Sequence, residues 1–186
     1  MGKIINRRVL IIRFCFIVDV TKDFCANGSL AVPDAEAIIQ PINCLVGWSI
    51  KNGVIILIFR DWHPLASKHF IKWPVHSVAD TTGSELHDGL VIPKNHVTHF
   101  YKGTLPEEDG HSGWEGHNDH GEMLEKFMRE IIEKIMNEFA GQFDEVKIEI
   151  YHSGLATDFC VGDTVFGSLD FGERWSNEDP ERRKVV

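Results

Sequence analysis

The sequence predicts an α/β protein, with a mainly parallel sheet covered by helices on both faces in three layers. Three observations carry this expectation. Residues 9–18 (VLIIRFCFIV) and 54–59 (VIILIF) are nearly unbroken apolar runs, the pattern of strands buried on both faces. Residues 119–140 place Met123, Phe127, Met128, Ile131, Ile135 and Phe139 on one stripe at helical spacing. Strand-like and helix-like stretches alternate along the chain.

The first strand covers 9–18 and ends at Asp19. Asp34 is placed to cap a helix over roughly 35–50, with Ile38, Ile39, Ile42, Leu45 and Val46 on one side. Pro41 and Gly47 interrupt that pattern. The second strand ends before Arg60 and Asp61. Residues 62–95 are rich in Pro, Gly and His and read as a long loop, a class that is usually functional. Further strands are expected at 96–101 and 146–152. A last helix begins near Thr157 or Asp158, after a glycine turn. The division is a domain over 1–172 and a charged C-terminal tail over 173–186, where ERWSNEDPERRKVV has no apolar period.

Composition bounds the function. At 186 residues, 43% apolar and 25% charged, the chain suits one globular domain. A domain of this size buries roughly 70% of its unfolded surface. Nineteen Lys and Arg against 28 Asp and Glu give a net charge of -9, with no basic run. That argues against nucleic acid or an anionic membrane as partner. No apolar run is long enough to span a bilayer. Lys3, Arg7 and Arg8 before the first apolar run look like a signal-peptide start, but Arg13 interrupts it and no cleavage site follows. Gly2 suggests myristoylation, yet position 6 is Asn6. The four cysteines, Cys15, Cys25, Cys44 and Cys160, form no CxxC pair, which suits a reducing, cytoplasmic setting.

In open α/β sheets, sites form beyond the carboxyl ends of the strands. Asp19, Asp61, Lys102 and Cys160 each follow one of the four expected strands. Asp61 and His63 are two apart and face one side of an extended strand end. With His69 and His76 they make one carboxylate and three imidazoles, a set that suits Zn²⁺, Fe²⁺ or Mn²⁺. The alternative is exposed, inert loop histidines. Cys160 falls in the first turn of a helix, where the helix dipole and Lys102 favour a thiolate and Asp19 is placed to shuttle a proton. The alternatives are an inert buried Cys160, a surface Lys102 and a strand-capping Asp19. Most of the remaining histidines are assigned to surface or packing roles.

The segments VDVTKDFCANGSLAVP (18–33), DWHPLASKHF (61–70), WPVHSVADTTGSELH (73–87), FYKGT (100–104), HSGWEG (111–116) and GLATDFCV (154–161) carry a resemblance. Over roughly 18–172 the chain resembles nicotinamidases (pyrazinamidases) of the isochorismatase-like cysteine hydrolases. The resemblance implies a catalytic triad of Asp19, Lys102 and Cys160, and a divalent metal held by Asp61, His63, His69 and His76. It implies that the metal orients the pyridine ring of nicotinamide while Cys160 attacks the carboxamide carbon. Asp19 then protonates departing ammonia, and the thioester is hydrolysed to nicotinate. Backbone N–H groups of Ala156 and Cys160 would form the oxyanion hole, with a cis peptide before Ala156. Phe24 and Trp73 would sandwich the ring. His111 would sit in the substrate pocket, where the family usually has Tyr.

The chain departs from the family at Thr21 (usually Gln), His111 and Trp114 (usually Phe). Gly162 and Gly167 lie inside the last helix, and strand 146–152 alternates with Lys147 and Glu149. Relative to the family the fold looks shortened at the C-terminus, which leaves that strand without its usual neighbour. Two other functions therefore stand beside nicotinamide hydrolysis: a non-catalytic metal-binding remnant of the fold, and a cysteine amidase for another carboxamide.

Overall fold

A computed structural model describes residues 7–180 and 183–185. Gly2 and Lys3, considered above as targeting features, lie outside the described residues. Six strands form one sheet: β1 (Val9–Val18), β2 (Ile55–Asp61), β3 (Val97–Lys102), β4 (His117–Asn118), β5 (Glu145–Gly154) and β6 (Arg183–Val185). Their order is β4-β3-β2-β1-β5-β6, and all neighbours are parallel except β3 and β4. Among the described residues three α-helices flank it: α1 (Ile39–Lys51), α2 (Leu124–Glu138) and α3 (Cys160–Glu178).

Alternation of side chains along β1 explains its solid apolar run. Phe14, Phe16 and Val18 pack with Leu57, Phe59 and Phe100 against Leu124, Met128 and Ile132 of α2 and Phe171 and Trp175 of α3. Cys15 and Ile17 point the other way, with Ile56 and Ile58, onto Ile42 and Val46 of α1. Each fully buried side chain of this size contributes about 1.5–3 kcal/mol. Pro41 is tolerated because it lies in the first turn of α1, where its missing N–H has no helical partner to lose.

The register aligns the carboxyl ends of the strands. Val18 pairs with Phe59 on one side and Gly154 on the other, and Asp61 pairs with Lys102. Residues that end different strands are thereby brought to one edge.

Two expectations need correction. The helix expected from residue 119 starts at Leu124, because Asn118 and Gly121 (φ 75°) make a turn after β4. Asn118 Oδ1 accepts the His120 and Glu122 N–H groups, each at 3.0 Å. The stretch 173–186, read as a tail, is instead structured over its described residues. α3 runs to Glu178, Trp175 is fully buried, and Arg183 lies over its ring at 4.0 Å before β6 pairs with β5. Polar residues interrupt the apolar spacing of α3, so the helix was not visible as periodicity. β6 covers only Val146–Ile148 of β5; among the described residues no strand pairs on that side beyond Ile148. The alternation of β5 separates two faces: Val146 and Ile148 are buried in the core with α2 and α3, while Glu149, on the opposite face, forms a partly buried ion pair with Arg13 at 2.7 Å.

The glycines of α3 have packing reasons. A Cβ on Gly167 would collide with the Trp114 ring. Trp114 stacks on Phe171 at 4.9 Å and donates Nε1–H to Thr164 O and Ser168 Oγ, each at 3.1 Å. Trp114 and Gly167 therefore belong together as core packing.

Candidate active site

Asp19 sits one residue beyond β1 in the left-handed region (φ 52°), a conformation that Asp tolerates better than most residues. Its N–H donates to Phe59 O (3.0 Å), and its Oδ1 accepts the Asp61 N–H (3.0 Å). Both bonds tie it to β2. Lys102, the last residue of β3, is buried, and its ammonium lies between two carboxylates. It is 2.7 Å from Asp19 Oδ2, donates to Asp61 Oδ1, and donates to Gly110 O at 2.7 Å. Lys102 is therefore not a surface residue. Cys160 is the first residue of α3, where helix N–H groups lack intrahelical acceptors. One carboxylate oxygen each from Asp19 and Asp61 and the Cys160 sulfur lie within 4.8 Å of one another.

Burial dominates the electrostatics. It pushes the Asp19 carboxyl up to about 6, helped by the charge of Asp61 and opposed by Lys102. Burial works against Lys102 as well, yet Asp19 and Asp61 hold its ammonium well above the ordinary value. Asp61 stays well below the usual carboxylate range, because Lys102, His63 and His76 outweigh its burial. The Cys160 thiol is pushed well above its ordinary value by burial, with Lys102 pulling the other way. Desolvation thus opposes the thiolate that the helix terminus and Lys102 favour.

The four sequence-predicted ligands also converge. The Asp61 Oδ2 atom lies 3.6 Å from both His63 Nε2 and His76 Nε2. One ring nitrogen each from His63, His69 and His76 lies within 4.8 Å of the others, and all three rings are buried. Each Nδ1 faces an outer oxygen: Gly103 O for His63 (3.0 Å), Pro74 O for His76 (2.7 Å) and Asp109 Oδ1 for His69 (3.2 Å). That pairing places the Nδ1 proton outward and leaves the Nε2 lone pairs for the centre. His63 Nε2 is buried with no partner. Such an orphan atom, in a set of one carboxylate and three imidazoles, fits a divalent cation. Gly103 (φ 64°) is required here, since a Cβ would strike the His63 ring.

A cavity of about 260 Å³ opens onto both groups. Phe24, Trp73, His111, Ala156 and Cys160 line it, as do Asp61, His69 and His76. The Leu155–Ala156 peptide is cis. His111 Nδ1 is 3.6 Å from Asp163. Trp114, in contrast, lies in the core and does not line the cavity. Sequence reasoning missed the Leu30–Pro33 wall, Phe159, Asp158 and Asp109. Phe159 was visible only as part of GLATDFCV, and Asp109 sits in an acidic run (EED) that reads as solvated. Asp23 was also missed; its Oδ2 accepts the Ser77 N–H at 2.7 Å, tying the Phe24 wall to the residue after His76.

The chain is similar to proteins of known name. A nicotinamidase of Escherichia coli is 30% identical over 183 residues, 86% of this chain and 78% of the relative. A nicotinamidase/pyrazinamidase of Mycobacterium tuberculosis is 30% identical over 159 residues, 82% and 76% of the two chains. The crystal structure of Pyrococcus horikoshii pyrazinamidase in complex with zinc superposes with a TM-score of 0.67 at 27% identity, covering 94% of this chain and 98% of that one. PnC1 from L. infantum in complex with nicotinate gives 0.64 at 26% identity, covering 87% and 75%. Residues 13–173 match the isochorismatase domain, and with the sheet order and strand-end constellation described above they make this chain a member of the isochorismatase domain family.

Proposed function

We propose that the protein is an amidohydrolase converting nicotinamide and water to nicotinate and ammonia through a Cys160 thioester. One observation carries the reading: Cys160, with Asp19 and Lys102 buried behind it, lines the same cavity as Asp61, His69 and His76. Relatives named as nicotinamidases support the substrate class.

In this reading Phe24 and Trp73 hold the aromatic ring between them, with the carboxamide carbon toward Cys160. Asp61, His63, His69 and His76 would hold a divalent metal; zinc in the Pyrococcus horikoshii structure, together with the donor set, supports this. When bound, that ion supplies a Lewis-acid contact to the pyridine nitrogen, which fixes the ring's orientation. Cys160 Sγ attacks the carbonyl carbon as Asp19 takes the thiol proton. Asp19 supplies the base, since burial opposes the thiolate. The N–H groups of Ala156 and Cys160 stabilise the oxyanion. Asp19 then gives its proton to the nitrogen, the C–N bond breaks and ammonia leaves. Water attacks the thioester, passing a proton to Asp19; the C–S bond breaks, nicotinate departs and Cys160 regains its proton. Lys102 keeps Asp19 and Asp61 in place and balances their charge throughout.

The test is ammonia release from nicotinamide with Fe²⁺, Mn²⁺ or Zn²⁺ added, comparing the wild type with Cys160→Ala. Rapid release by the wild type alone is expected; equal, negligible release by both would end the proposal. His111 in the cavity favours a second reading, another carboxamide substrate. A substrate panel decides it: nicotinamide with the highest kcat/KM removes that alternative. The remnant reading rests on the glycines of α3 and on the C-terminal unit expected from the family. Gly167 now has a packing explanation in its contact with Trp114.

A further inference from the structure

The three histidines are not anchored alike. His63 and His76 lean on backbone carbonyls, which are neutral and fixed by the fold. His69 leans on a side chain, Asp109, and that side chain is half exposed on a loop. The second oxygen of Asp109 is held by Lys72 Nζ at 3.1 Å. The next residue, Gly110, offers its carbonyl to Lys102. Two consecutive residues of one loop thus touch the candidate metal centre and the buried ammonium of the candidate triad.

We propose that Asp109 is a positioning residue: it fixes the Nδ1–H form of His69 so that Nε2 faces the centre, and so sets the affinity for a divalent cation. This rests on the metal reading above. A neutral imidazole carries one N–H, on either nitrogen. A carboxylate at Nδ1 selects the tautomer whose Nε2 lone pair is free, and raises the basicity of the ring. Lys72 holds the carboxylate so that Oδ1, not Oδ2, meets the ring. His69, Asp109 and His111 also approach closely enough to resemble a second cation site. Both oxygens of Asp109 are already engaged, however, so the cluster serves the first centre.

Metal-free wild type, Asp109→Ala, Asp109→Glu and His69→Ala would be titrated with Co²⁺, reading the visible d–d absorption and competition with a chelator. Asp109→Ala should bind Co²⁺ about 10–100-fold more weakly, with an altered band, the loss typical of an outer partner of a metal-bound histidine. Asp109→Glu should recover part of that affinity. The thermal midpoint of the metal-free protein should be unchanged in Asp109→Ala. Three results would overturn the inference. If the wild type and Asp109→Ala bind within twofold with the same spectrum while His69→Ala binds weakly, the metal reading stands and Asp109 has no part in it. A loss of metal-free stability in Asp109→Ala that Asp109→Glu does not rescue makes the role structural. A wild type that takes up no Co²⁺ removes the metal reading and this inference together.

Discussion

Replacing Lys102 with Met tests how far one ammonium holds the candidate site together. The side chain is fully buried, its length is nearly matched by Met, and its charge lies between Asp19 and Asp61. Removing it leaves two buried carboxylates facing each other, and the Gly110 carbonyl loses its donor. Breaking a buried ion pair from one side costs about 3–5 kcal/mol, because the remaining charge has lost its compensation. For a chain of 150–250 residues each kcal/mol lowers Tm by about 2–4 °C, so a fall of roughly 6–20 °C is expected. Urea unfolding of the metal-free protein at pH 7 measures the free energy directly. The cycle with Asp19→Asn isolates the pair: Lys102→Met should cost less in that background, since one of the stranded charges is gone. A loss below about 1 kcal/mol, the range of exposed ion pairs, would refute the view that this cluster is a desolvated charge network.

Two further outcomes follow from packing and charge. Gly47 lies in α1 with open space where a Cβ would go, so Gly47→Ala should stabilise the protein by about 0.5–1 kcal/mol through helix propensity. Gly167→Ala should instead destabilise it by about 1–3 kcal/mol, because displacing Trp114 outweighs the same gain; a gain at both sites in urea unfolding would contradict the packing account. Burial holds His152 down to about 4, with Nε2 2.9 Å from Ser168 Oγ and the ring against Phe16. A histidine lowered by folding contributes stability that is full above the unfolded value near 6.5 and is lost as pH falls toward 4. Between pH 7 and 4.5 the wild type should therefore lose about 1–3 kcal/mol more than His152→Gln; equal losses would show that the ring is not desolvated.

What the sequence made legible follows from range. β1 and β2 are local patterns, set by side chains a few residues apart, and they appear where expected; of the α2 stripe Met128 is buried, while Met123 and Phe139 at its ends are exposed. α3 was cut short because Glu173, Arg174 and Glu178 mask its spacing. Its last turn is explained only by distant partners: Arg129 bonds Glu178, and Arg174 bonds Glu125. β4 has two residues and exists only as a partner of β3, so no periodicity announced it.

The candidate site divides in the same way. Asp19, Asp61 and Lys102 were readable because a parallel sheet in this register must gather its carboxyl ends, whatever the loops do. The burial that opposes a Cys160 thiolate is not readable in the sequence, because its position on the helix is local information, while desolvation depends on everything packed around it. Asp109 could not be read at all. Its acidic run looks like a solvated loop, and only the fold shows that one of its carboxylate oxygens is turned onto His69, forty residues earlier. Groups placed by backbone geometry are visible in a sequence. Groups that tune them from the outside become visible when the chain is folded, and the Asp109 variants test such a group directly.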